Sequence, residues 1–114
     1  MRILIGTLGA VFLIGAGANV DAQRPKDPPW NPEHITQLPA EVRNAVVAMC
    51  PQTPSAGHYF ATYFHDQIKL HFEHFLCEKA GASFCSGSQC LHQVYKLTGG
   101  HYRLAKSFYG PGND

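Results

Sequence analysis

No run of lysine or arginine occurs in the 114 residues, and charged residues make up only 15% of the chain. Phosphate backbones and anionic lipid surfaces both call for concentrated basic charge, so neither nucleic acid nor an anionic membrane surface is an expected partner. No G-x-S-x-G elbow is present, which leaves Ser83, Ser86, Ser88 and Ser107 as ordinary loop and strand serines. Acidic residues do not alternate with glycine as a calcium loop requires, and no phosphate-cradling glycine loop occurs. Between the middle of the chain and its last third the only carboxylates are Asp66, Glu73 and Glu78, too few to suggest a paired acid and base. No catalytic residue is therefore nominated, and an enzyme is not the favoured class.

Long apolar runs are also missing, with one exception. From Ile3 to Ala18 the chain is uncharged and apolar, preceded by Arg2 and followed by Val20-Asp21-Ala22 with small residues where a signal peptidase cuts. At about 16 residues, four of them glycine, this run falls short of the ~20 apolar residues of a membrane span. Residues 1–22 read as a signal peptide, and periplasmic or secreted localisation without stable membrane insertion follows. The mature chain keeps a formal charge near +1.

Cysteine is sparse but even in number. Cys50, Cys77, Cys85 and Cys90 all follow the signal, and in an oxidising compartment they are expected as two disulfides. The favoured pairing closes a short loop between Cys85 and Cys90 and joins Cys50 to Cys77. Four residues separate Cys85 from Cys90 where redox and haem motifs have two, and Leu91 stands where a haem histidine would. Oxidised sulfur also cannot act as a nucleophile.

Residues 23–37 carry four prolines and predict an extended arm, with Trp30 either folded back on the domain or exposed as an anchor. Pro39 suits a first helical position, and Leu38, Val42, Ala45, Val46 and Met49 recur at helical spacing until Pro51 stops the run. Residues 58–64 are aromatic-rich and predict a strand. Residues 66–80 are ambiguous: Ile68, Leu70 and Phe72 alternate with Lys69, His71 and Glu73 as in a half-buried strand, but Phe64, Ile68, Phe72 and Phe75 also fit a helix face. The strand is preferred because Leu70 fits only that pattern. Leu91–Leu97 and Tyr102–Tyr109, joined through Gly99-Gly100, predict a hairpin, and residues 110–114 a tail.

Seven histidines are the unusual feature. Neutral imidazole is a good ligand for zinc or copper, and His65, His71, His74 and His92 are the candidate ligands. In a strand His71 and His74 would point to opposite faces; in a helix they would share one. Protonation of all seven would carry the formal charge from +1 toward +8, so binding or solubility is expected to depend on pH.

The LPAEVRNAVVAMC, FCSGSQCLHQVY and GGHYRL segments, behind the signal peptide, resemble small exported proteins of uncharacterised function found in proteobacteria, over residues 36–109. Residues 58–109 also resemble, more distantly, integrin-like and VCBS-type β repeats, but His65-Asp66-Gln67 has a single acid where those repeats place a calcium loop. The resemblance implies no activity. The expected fold is α+β: one N-terminal helix on a small antiparallel sheet ending in a β-hairpin, residues 38–109, stapled by two disulfides. The leading functional expectation is a non-catalytic module for an unknown protein or envelope component, with Lys69, Glu73, His101 and Arg103 as its contact surface. A histidine-based zinc or copper protein is the alternative, and a small secreted hydrolase the third.

Overall fold

The computed structural model describes residues 27–78 and 84–112. The signal peptide expected over 1–22 and the first residues of the arm lie outside them. Two short helices, α1 (Glu33–Thr36) and α2 (Ala40–Val47), precede seven strands: β1 (Ser55–Ala56), β2 (Ala61–Phe64), β3 (Gln67–His71), β4 (Phe75–Leu76), β5 (Cys85–Ser86), β6 (Gln89–Thr98) and β7 (His101–Pro111). A 3₁₀ turn, Phe72–His74, separates β3 from β4. The molecule is thus α+β with an antiparallel sheet, but strand dominates and the single prominent N-terminal helix expected from the sequence is replaced by two small ones. No helix among the described residues is long and apolar enough to cross a membrane.

The differences have local causes. In the arm, the Asn31 side chain accepts the Glu33 N–H at 2.9 Å and Pro32 has φ −59°, so one helical turn forms where extended chain was expected. At its other end α2 tightens, with Met49 N–H bonding Val46 O and Cys50 N–H bonding Val47 O, so the regular helix stops at Val47 instead of reaching Cys50. The strand expected from residue 58 begins at Ala61, because Phe60 N–H closes a turn on Gly57 O at 3.2 Å. At the C-terminus β7 runs past the expected end at Tyr109. Pro111 sits opposite Gln89 on an edge strand, where a missing N–H is tolerated, and Gly112 N–H bonds Ser88 O.

β6 is the spine of the sheet: β3 pairs one edge, with β5 further along the same side, and β7 pairs the other. Gly99 and Gly100 have φ of 60° and 83°, the two left-handed positions that a tight hairpin turn needs. The register Tyr95↔Leu104 and Leu97↔Tyr102 follows the hairpin pattern, with a bulge between Val94 and Tyr95. Alternation gives the sheet two faces. Ile68, Leu70, Leu91 and Tyr95 lie on the face that joins Ile35, Leu38, Val42 and Val46 of the helical layer and Phe60, Phe72 and Phe75 in one core. Disulfides Cys50–Cys77 and Cys85–Cys90 fasten the end of the helical layer and the β5–β6 hairpin respectively.

Candidate metal centre

The face turned away from the core is where polar residues of β3 and β6 meet. His71 and His92 are directly opposed in register, their rings 5.3 Å apart and nearly perpendicular. Both are buried, His92 completely. Because β3 ends at His71 and the chain turns into the 3₁₀ segment, Glu73 folds over the same face, its side chain only 14% exposed.

Second partners orient each imidazole. His92 Nδ1 lies 2.9 Å from Cys90 O, and since a carbonyl only accepts, Nδ1 carries a proton, which in the neutral ring leaves the lone pair on Nε2. That lone pair faces Glu73 Oε1 at 3.6 Å, too far for a hydrogen bond. Among the described residues neither Glu73 Oε1 nor His92 Nε2 has a hydrogen-bond partner. His71 Nε2 lies 3.0 Å from Thr62 Oγ1; with the proton assigned to that bond, Nδ1 is left facing Glu73 Oε2 at 4.0 Å. Burial lowers the pKa of His71, against the pull of Glu73, so its ring is neutral at neutral pH, as a ligand must be.

One ligand atom from each of His71, Glu73 and His92 lies within 4.8 Å of the other two. Tetrahedral zinc with bonds of ~2.0–2.2 Å places ligand atoms ~3.3–3.6 Å apart, so atoms that now lie up to 4.8 Å apart would have to close by up to about 1.2–1.5 Å to make a two-histidine, one-carboxylate site. Phe108 stacks on the His92 ring at 5.4 Å and Lys69 Nζ lies 5.7 Å from the Phe108 centroid, covering the outer side.

The remaining sequence candidates distribute as follows. His74 has its Nε2 3.8 Å from Glu73 Oε2 and its side chain 40% exposed, at the rim of the cluster. His65 occupies the β2–β3 turn with φ 54°, against Phe64, at the other end of β3 from His71. Arg103 is exposed opposite Lys96, which pairs with Gln67, so register puts it on the face of Lys69 and His71. His101 is instead held by Glu41 of α2, Nδ1 to Oε2 at 2.8 Å.

A second cluster was not anticipated from the sequence: Asp27, His34 and His58. His34 Nδ1 meets Ala56 O at 2.7 Å and Nε2 meets Asp27 Oδ2 at 2.8 Å, so both nitrogens donate and no lone pair is left for a metal. It is an ion-paired latch between arm and domain. The signal that would have placed Glu73 beside His71 and His92 was the end of β3 at His71, which alternation alone does not mark.

Comparison of the chain with protein-family models, with curated proteins and with solved structures finds no match, so function rests on the geometry of this site.

Proposed function

We propose that this is an exported, non-catalytic metal-binding protein, periplasmic or secreted, that holds one zinc or copper ion between His71 Nδ1, His92 Nε2 and a Glu73 carboxylate oxygen. The observation that carries this reading is the buried pair Glu73 Oε1 and His92 Nε2, 3.6 Å apart and without a hydrogen-bond partner among the described residues. With the His92 ring neutral both atoms are acceptors, each costing ~1–3 kcal/mol when left unpartnered in a buried site, and a cation satisfies both at once. Nitrogen and carboxylate donors suit zinc or copper over calcium. Two disulfides and no free cysteine among the described residues support an oxidising compartment.

The test is native mass spectrometry of the mature protein purified without chelator, followed by zinc and copper titration. One bound ion at a dissociation constant well below ~1 µM is expected. No ion on isolation and no binding tighter than ~1 µM removes the reading.

A second reading, binding of a protein or envelope component, is favoured by β7, eleven residues long, mostly exposed, and flanked by no strand on its outer side among the described residues. Pull-down from envelope extract with the parent protein and an Arg103→Glu variant tests it: loss of a specific partner in the variant supports it, and no specific partner for the parent ends it.

A further inference from the structure

We infer that His74 is the ligand through which the ion enters and leaves, which makes the protein a carrier able to hand its metal to an acceptor; this rests on the metal-binding reading above. His71, Glu73 and His92 are shielded from solvent, whereas the His74 ring stands 40% exposed at their rim. The Glu73 carboxylate connects the two environments. Its Oε1 faces the fully buried His92 Nε2 at 3.6 Å and its Oε2 faces His74 Nε2 at 3.8 Å.

The His74 backbone is fixed while its ring packs against a glycine. Gly57 N–H bonds His74 O at 2.7 Å, which pins the backbone, while the ring rests on Gly57 itself. Gly57 has no left-handed φ to explain the glycine. What glycine supplies is space: a Cβ there would already touch His74 Cβ at 3.4 Å and Nδ1 at 3.6 Å, so alanine fits by contact and a larger side chain displaces the ring. An ion captured by His74 and Glu73 Oε2 at the surface passes to Glu73 Oε1 and His92 by exchange of one ligand for another, with no change of oxidation state. Release follows the same path in reverse, with a metal acceptor offering its own imidazole or thiolate.

Stopped-flow loading of zinc into the apo-protein, and its withdrawal by a chromogenic chelator, test this in the parent, His74→Ala and Gly57→Val proteins. His74→Ala is expected to keep one zinc with affinity reduced no more than ~10-fold, while loading and withdrawal both slow at least ~10-fold. Gly57→Val is expected to slow both steps in the same direction. Unchanged rates in His74→Ala overturn the inference, and so does loss of zinc as complete as in His92→Ala, which would make His74 a fixed ligand. A parent protein that takes up no zinc overturns the metal reading as a whole, a distinct result.

Discussion

Glu73 carries an energetic contradiction in the metal-free protein. Its carboxylate is largely buried, and when the His92 ring is neutral its Oε1 faces a lone pair instead of a proton. If the residue were there for stability, removing its charge would weaken the fold; if it is there for an ion, removing the charge relieves the apo-protein. Glu73→Gln is therefore expected to leave apo stability unchanged or raise it by about 1 kcal/mol, while weakening zinc binding by about 10–100-fold. Urea unfolding in the presence of a chelator, paired with calorimetric zinc titration, reads both quantities. A loss of 1 kcal/mol or more in the apo-protein would assign Glu73 a structural role. Sequence pattern nominated His65, His71, His74 and His92 as ligands because histidine is chemically conspicuous, and His65 lies at the far end of β3 from the cluster. The same pattern put Glu73 on a contact surface instead, since strict alternation takes no account of a strand that stops two residues earlier.

Elements show the same division. Alternation through Ile68 and Leu70 tipped residues 67–71 toward a strand without excluding a helix, and Gly99-Gly100 was enough to read the hairpin, because both follow from period-two burial and turn chemistry. Helix ends were less legible: α1 depends on Asn31 turning back to Glu33, and the early stop of α2 depends on a tightened last turn, neither of which leaves a periodic trace. The disulfides act at this scale as well. Cys50–Cys77 spans 27 residues and Cys85–Cys90 only 5, so removing the first by paired alanine substitution is expected to cost about 3–4 kcal/mol and the second about 2 kcal/mol. Equal losses in denaturant unfolding would contradict this loop-entropy account. Loss of Cys85–Cys90 is also expected to weaken zinc binding, because the Cys90 carbonyl holds the His92 tautomer.

Across the molecule, the arm is fastened to the domain by the His34–Ala56 hydrogen bond, and the Asp27–His34 ion pair within the arm makes that latch depend on pH. Burial alone would lower the His34 pKa, but the Ala56 carbonyl and the Asp27 carboxylate outweigh it and raise the pKa above 6.5. Asp27 is lowered below 3.8, first by Asn31 and then by His34. Stabilisation from His34 is complete below pH 6.5 and lost as pH rises through its raised pKa; that from Asp27 is present above pH 3.8 and lost as pH falls through its lowered one. Trp30, the single tryptophan, lies three residues from Asp27 and is the fluorescent probe to use for the latch. Its fluorescence is expected to hold steady from pH 4 to 6.5 and to change above and below that window. A flat profile from pH 6.5 to 8.5 would contradict the latch.

The measurement closest to the central claim is an imidazole ¹⁵N NMR spectrum of the mature protein before and after one equivalent of zinc. Coordination at His92 Nε2 and His71 Nδ1 is predicted, with the Cys90 and Thr62 hydrogen bonds kept on the opposite nitrogens. Zinc that leaves both of these rings unperturbed, or that shifts only exposed histidines such as His58 and His65, would contradict the account.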